Sequence, residues 1–303
     1  GLYRVRGAGE RAYSACDNAK IACDSIRNQQ GFICEYDDKL GRYMDISTYV
    51  LQNIDEAIRK RYIKVYYQPV VRTISGKTCG MEALARWIDP EKGFLSPDDF
   101  ISLLEENRQI TKLDLYILRE ICREMCERTA NGKPVVPVSF NLSRTDFQEC
   151  DIFSEVEKIV SEYGISHDMI NVEITESTIM EDPDALMRDI KRFRDGGYQV
   201  WMDDFGSGYS SLNVLKDYEF DEIKLDMKFM SSFDERSKKI VKSIISMAKQ
   251  IGVQTLAEGV ETQEQFDFLR YIGCEKVQGY FFSRPLPSEQ LEKTGVAEPE
   301  NME

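Results

Sequence analysis

From Val135 to Phe281 the chain repeats one unit: a short apolar strand, then a stretch with helical periodicity, then another strand. The predicted strands are Val135–Leu142, Ile170–Ile174, Gln199–Asp203, Asp221–Asp226, Val253–Glu258 and Lys276–Phe281. Ahead of the first of them, Leu113, Ile117, Ile121 and Met125 share one helix face, and between the fourth and fifth, Ile240, Ile244, Ala248 and Ile251 share another. Strands alternating with helices predict a parallel sheet covered on its outer side. Upstream, Val65–Val71 and Cys79–Trp87 flank Ser75-Gly76, a turn pair, so these first two strands form an antiparallel hairpin. Eight strands over roughly 240 residues match the size of a (β/α)8 barrel. The expected fold is therefore α/β: a modified TIM-like barrel with one antiparallel strand.

The strands end in polar residues, and barrels place their chemistry at the C-terminal ends of their strands. In chain order these ends carry Glu82, Asn141, Glu173, the pair Asp203-Asp204, Lys224 with Asp226, Glu258, and Gln278. Side chains alternate along a strand, so Glu173 points inward between Val172 and Ile174, and Lys224 and Asp226 point inward around Leu225. Burying several charges in one barrel mouth is costly unless they are paired or metal-bound. Each residue has a plain alternative: Glu82 paired with Arg86, Asn141 capping a turn, Lys224 neutralising Asp203. The convergence of so many polar ends is better explained by one or two divalent cations, and all-oxygen ligation favours Mg²⁺ or Mn²⁺ over zinc.

Composition excludes other chemistries. The net charge of −14 over 303 residues argues against a DNA or RNA polymer as the main partner. It leaves room for a small nucleotide bound through metal ions. The single histidine, His167, sits in the loop-like Gly164–Asp168 stretch and excludes clustered His zinc sites. The eight cysteines form no CxxC pair; Cys122 and Cys126 share a helix face as buried apolar residues. That usage points to a reducing, cytoplasmic setting. No run approaches the ~18 apolar residues of a membrane span. The start, Gly1-Leu2-Tyr3-Arg4, lacks an initiator Met and reads as a cut from a longer chain, whose upstream signalling domains and membrane anchoring stay open.

Residues 1–42 read as a separate piece: a helix over Glu10–Arg27 with Ala12, Ala15, Ala19, Ala22, Cys23 and Ile26 on one face, then a short strand over Gly31–Tyr36. Ala15-Cys16-Asp17-Asn18-Ala19-Lys20, with Tyr36-Asp37 after it, resembles the C-terminal tail of a GGDEF domain. No GGDEF signature is present, so no cyclase activity is expected. An amphipathic helix over Ile46–Arg61 opens the next piece, residues 43–293, and residues 294–303 form a tail expected to be disordered.

Taken in order, Glu82-Ala83-Leu84, Asn141-Leu142-Ser143, Glu173-Ile174-Thr175-Glu176, Asp203-Asp204-Phe205-Gly206-Ser207-Gly208, Ile223-Lys224-Leu225-Asp226, Ala257-Glu258-Gly259-Val260-Glu261 and Gln278-Gly279-Tyr280 resemble the motifs of the EAL domain, the cyclic-di-GMP phosphodiesterase family. The resemblance spans about residues 47 to 290. It implies two Mg²⁺ or Mn²⁺ ions per active site and hydrolysis of cyclic di-GMP to linear 5'-pGpG by a metal-activated water. It assigns Glu82, Asn141, Glu173 and Asp203 to the first metal, and Asp203, Asp204 and Glu258 to the second. It gives catalytic roles to Lys224, Glu258, Glu82 and Asp203, with Lys224 orienting the water. Gln68, Leu84, Arg86, Asp226 and Gln278 are the implied substrate contacts. Glu176 is the implied anchor of the loop Phe205–Ser211, which in the family couples substrate, metal and homodimer formation. Ser207 stands where the family usually has Thr. The competing expectation is a catalytically weak cyclic-di-GMP receptor domain.

Overall fold

The structure is a computed structural model and describes residues 1–5, 7, 10–25, 33–180, 183–206, 211–231 and 233–291. Gly31, Phe32, the loop residues 207–210 and the tail named above lie outside the described residues. The chain divides into two compact units, Gly1–Tyr62 with Trp87–Gln109, and Ile63–Arg86 with Ile110–Glu303.

In the first unit, a helix runs over Ala12–Asp24, and among the described residues of its predicted apolar face only Ala22 is buried; Ile26 and Arg27 lie outside the described residues. Among the described residues of the predicted strand, Glu35 makes a single parallel bridge to Leu2. The next helix, Asp38–Arg59, starts earlier than its apolar spacing suggests. Asp37 explains this: its side chain accepts from Leu40 N at 2.7 Å and caps the first turn. Of the apolar stripe Ile46, Val50, Ile54 and Ile58 that its spacing predicts, Val50 and Ile54 are buried and the other two half-buried, with Ser47 and Ala57 completing the face. Asp89 is the polar hub of this unit, accepting from Tyr49 Oη (2.9 Å), Trp87 Nε1 (3.2 Å) and the backbone N–H groups of Glu91 and Lys92 (both 2.9 Å).

The second unit is the barrel. Its strands are β1 (Ile63–Arg72), β2 (Thr78–Asp89, of which Thr78–Arg86 belongs here), β4 (Val138–Leu142), β5 (Ile170–Thr175), β6 (Gln199–Phe205), β7 (Glu222–Leu225), β8 (Gln254–Ala257) and β9 (Lys276–Val277). The short β3 (Gly93–Leu95) pairs antiparallel with Trp87–Asp89 in the first unit. Neighbours run β1-β9-β8-β7-β6-β5-β4-β2, and β2 returns to β1, which closes the cylinder. All barrel pairings from β2 through β9 are parallel, and β1 is antiparallel to β9. The hairpin expected from Ser75-Gly76 is thus the antiparallel element of the barrel.

Helices cover the outside. Leu113, Ile117, Ile121 and Met125 are all buried on the helix Ile110–Ala130. On the helix Glu235–Ile251 the buried face is Val241, Ile245 and Ala248, while Ile240 and Ile251 are exposed, a one-residue rotation from the predicted stripe. Inside, Val70, Trp201 and Leu256 pack together. Nearby, Lys276 Nζ lies 4.7 Å from the Trp201 ring and 2.5 Å from Glu222 Oε2, a buried ion pair. All eight cysteines are free. His167 is not a lone loop residue: its Nδ1 lies 2.6 Å from Gly196 O, and its ring stacks on Tyr198 at 4.7 Å. Among the described residues no helix is long and apolar enough to cross a membrane.

Candidate active site

β2, β4, β5, β6, β7 and the end of β8 each carry an inward polar residue toward the C-terminal end of the barrel, and these meet in one place. Register sets Asn141 beside Glu173. The centre of the cluster is Lys224, fully buried on β7. Its Nζ lies 2.6 Å from Glu173 Oε2, 2.9 Å from Glu258 Oε1, 3.1 Å from Asp203 Oδ1 and 3.5 Å from Glu82 Oε1. Lys224 therefore contacts four carboxylates rather than Asp203 alone.

The plain alternatives for the other residues also resolve. Asn141 caps no turn; its Nδ2 donates to Glu82 Oε1 at 3.4 Å. The helix Arg144–Glu149 that follows is opened instead by Asp146, which accepts from Ser143 N at 2.7 Å. Glu82 pairs with Lys224, while the Arg86 guanidinium donates to Ala85 O at 2.8 Å and lies 5.8 Å from the Tyr66 ring. Partial burial pulls the Arg86 pKa down, against the pull of nearby Glu82. Gln278 Nε2 donates to Gln68 Oε1 at 3.0 Å and to Glu82, and Gln68 Nε2 donates to Ser283 O at 3.1 Å. Leu84 lies half-buried two residues beyond Glu82 on the same strand face. Asp226 is buried and holds Lys228 through its backbone N–H (2.8 Å) and Nζ (3.0 Å). Glu176 is buried at the loop side, where its Oε2 accepts from Gly206 N at 3.4 Å.

Asp203 and Asp204 should point to opposite faces of a regular strand. They do not, because β6 carries a bulge. Met202 pairs with Ile223 and Phe205 with Leu225, so three steps on β6 match two on β7. Asp204 absorbs the extra residue at φ 56°, a left-handed conformation that Asp tolerates better than most residues. One carboxylate oxygen each from Asp203, Asp204 and Glu258 then falls within a 4.8 Å circle. This bulge is the feature the alternation rule could not foresee.

Electrostatics follow from the crowding. Burial disfavours the Lys224 ammonium, but Asp203, Glu173, Glu258 and Glu82 outweigh it and hold its pKa well above the ordinary lysine range. The carboxylates cannot all ionise beside one ammonium. Burial drives the Glu173 pKa well above the carboxylate range; Lys224 pulls it back, and Glu82 and Asp203 push it further. Glu258 is pushed up to about 8 by burial, with Lys224 opposing and Asp203 and Glu82 adding to the rise. Burial of the carboxyl, then the Asp203 and Asp226 charges, raise Asp204.

These residues fit a divalent cation. Glu173 Oε1 and Gln278 Oε1 are buried acceptors without a hydrogen-bond partner. Three further carboxylate oxygens already face one another. Five carboxyl groups share one ammonium, and every ligand atom they offer is a hard oxygen.

Comparison with known proteins agrees with this geometry. The EAL domain family profile matches residues 51–285. The chain belongs to the EAL domain family. This EAL chain is 35% identical over 244 residues to the cyclic di-GMP phosphodiesterase NbdA of Pseudomonas aeruginosa, covering 80% of this chain and 31% of that protein. It is 30% identical over 294 residues to the bifunctional diguanylate cyclase/cyclic di-GMP phosphodiesterase MucR of the same organism, covering 96% of this chain and 43% of MucR. The solved PaMucR phosphodiesterase in complex with c-di-GMP superposes with a TM-score of 0.75 at 33% identity, over 80% of this chain and 99% of that one. The EAL chain spans less than half the length of these curated relatives.

Proposed function

We propose that this chain is a metal-dependent phosphodiesterase that hydrolyses cyclic di-GMP to linear 5'-pGpG. The observation that carries the proposal is the meeting of Glu82, Glu173, Asp203 and Glu258 on the buried Lys224, with Asp204 turned to the same side by the β6 bulge. Its relatives named as cyclic di-GMP phosphodiesterases support the substrate class.

In this reading Glu82, Asn141, Glu173 and Asp203 hold one Mg²⁺ or Mn²⁺, and Asp203, Asp204 and Glu258 hold a second. When bound, such ions polarise phosphoryl oxygens and acidify a water. The chain's own residues supply the rest. Lys224 Nζ, fixed by four carboxylates, donates toward the attacking water and offsets the charge that develops on the phosphoryl group. The water oxygen bonds to phosphorus as one P–O3' bond breaks, leaving a 5'-phosphate and a free 3'-hydroxyl. Gln278, held by Gln68 and Glu82, orients the substrate edge of the cluster, with Leu84, Arg86 and Asp226 completing the substrate contacts. Glu176 holds the loop after β6 through Gly206 N.

Three wider readings accompany the site. Residues 1–42 are the end of a GGDEF-like domain, residues 43–293 the EAL domain and 294–303 a tail; the 96% coverage in the match to MucR supports the first of these. The domain works as a homodimer in a cytoplasmic signalling protein with further domains. Its ligand is a small cyclic dinucleotide rather than a nucleic-acid polymer, in keeping with the net charge of −14.

The test is turnover by purified protein of cyclic di-GMP with Mg²⁺, Mn²⁺, Ca²⁺ or EDTA, following pGpG by chromatography. Metal-dependent pGpG is the expected result. Tight binding of intact cyclic di-GMP without product would make the chain a receptor instead.

A further inference from the structure

The turn after β7 lies against two glycines that follow the metal-site carboxylates of β6 and β8. Its residues are Met227 and the short helix Lys228–Ser231. On one side lies Gly206, two residues past Asp204, at φ 93°. A Cβ built on Gly206 would fall 2.6 Å from Phe229 Cζ and 2.7 Å from Cε2. On the other side lies Gly259, next to Glu258, at φ 68°. A Cβ there would fall 2.6 Å from Met227 Cβ. Both glycines have a left-handed backbone; Gly259 also admits the Met227 backbone closely, and Gly206 takes the tip of the Phe229 ring. The turn is itself well tied. Phe229 N donates to Asp226 O at 3.0 Å, and Gln265 Nε2 donates to Met230 O at 3.0 Å. Backbone bonds from Asp226 N to Phe205 O (3.5 Å) and from Glu258 N to Leu225 O (3.2 Å) lace it to both neighbours.

Three carboxylates with oxygens within 4.8 Å repel one another when no cation is bound. Something rigid must hold their backbones at that spacing. We propose that the Met227–Met230 turn is that spacer, with Phe229 as a positioning residue. Its ring, packed on Gly206, sets where the Asp203–Asp204 bulge stands relative to Glu258. The inference rests on the metal-site reading above and deepens it. Phe229 touches neither metal nor substrate in this account; it acts through the backbone of Gly206. Outer-shell groups that hydrogen-bond a ligand change metal affinity by about 10–100-fold when altered, and a residue acting only through backbone packing should sit at or below the low end of that range.

The experiment compares wild type and Phe229→Ala, stripped of metal, by Mn²⁺ titration (electron paramagnetic resonance or calorimetry) and by thermal melting in EDTA. Mn²⁺ alone is the probe, so turnover is not the readout. The expected result is at least a fivefold fall in affinity with a melting temperature in EDTA within about 3 °C of wild type. Unchanged affinity would overturn the proposal, as would an affinity loss that merely accompanies a larger fall in melting temperature. If Phe229→Ala does not fold, Phe229→Leu, which keeps apolar bulk but not the ring, is judged by the same two readouts. Failure of wild type to bind Mn²⁺ would sink the metal-site reading itself, an outcome separate from equal binding by both proteins.

Discussion

Replacing Lys224 with methionine tests the electrostatic logic of the site directly. Lys224 is fully buried, and four carboxylates lie within 3.5 Å of its Nζ. Removing one partner of a buried ion pair costs about 3–5 kcal/mol, because the charge left behind stays desolvated. For a unit of this size ~1 kcal/mol shifts the melting temperature by about 2–4 °C. Lys224→Met should therefore melt roughly 6–20 °C below wild type in EDTA at pH 8. Two conditions should narrow the gap. The first is divalent metal, since the variant pocket is more negative and gains more from a cation. A ligand at 100 times its Kd stabilises by about 2.7 kcal/mol. The second is acid. The Glu258 pKa, pushed up to about 8 chiefly by burial, lies above its unfolded value of about 4.3. The folded state then binds more protons than the unfolded one between these values. Its contribution is present in full below about pH 4.3 and is lost as pH rises through about 8. Lys224 opposes that rise, so its removal moves the window upward, and protonation at pH 6 relieves the variant more than wild type.

The assay is thermal melting of both proteins at pH 6 and pH 8, in EDTA and in Mg²⁺. A difference below about 2 °C in EDTA at pH 8 would refute the reasoning, because it would mean the carboxylates do not depend on the ammonium. The same variant should still bind cyclic di-GMP in Ca²⁺ while its kcat in Mg²⁺ falls by roughly 10²–10³, the usual cost of one charge-stabilising donor.

Glu82→Ala removes a carboxylate that touches Lys224, Asn141 and Gln278 together, and should abolish pGpG formation; retained turnover would strike Glu82 from the metal set. Lys276→Met strands the fully buried Glu222 carboxylate and should destabilise the barrel by about 3–5 kcal/mol in urea denaturation. The double change Glu222→Leu/Lys276→Met should recover most of that loss; an equal or larger loss would show that the pair is not the reason. Asp151 caps the helix Ile152–Tyr163, and its hydrogen bond from Arg192 holds its pKa down at about 2. Arg192→Ala should raise that pKa toward about 3.9 by carbon-detected NMR, and the stability Asp151 contributes above its unfolded pKa would no longer persist down to pH 2. An unmoved pKa would assign the depression to the cap instead.

The barrel and most of its polar ends were legible because they follow from alternation, which is a local property. Elements that depend on backbone chemistry were legible only in part. β4 starts at Val138 rather than Val135, since Pro137 cannot donate to a ladder and sits where the strand begins. β9 stops at Val277 rather than Phe281. Gly279 there packs so closely on Val260 that a Cβ would collide with its backbone, and Phe282 N turns back to Gly279 O at 3.1 Å. The start of the long helix at Asp38 was signalled by Asp37, a residue type that caps, but hydrophobic spacing alone does not weigh caps.

What was illegible is also what makes the site work. Two adjacent aspartates in a strand imply opposite faces, and only the extra residue at the β6 bulge, with Asp204 at φ 56°, brings both to one pocket. Nothing in Met227-Lys228-Phe229 announces contact with Gly206 and Gly259, because that contact runs across strands. The glycines themselves were the available signal. Gly206 follows the Asp203–Asp204 pair by two residues and Gly259 follows Glu258 directly, in a region where a second element had to approach closely. A charge cluster this dense is held by backbone geometry on its outer side and by Lys224 at its centre. Neither device discharges it, since one ammonium serves four carboxylates and Glu173 Oε1 is buried without a partner. The fold therefore leaves part of its electrostatic compensation to be supplied from solution, and metal affinity and stability of the empty site should respond in opposite directions to each carboxylate neutralised.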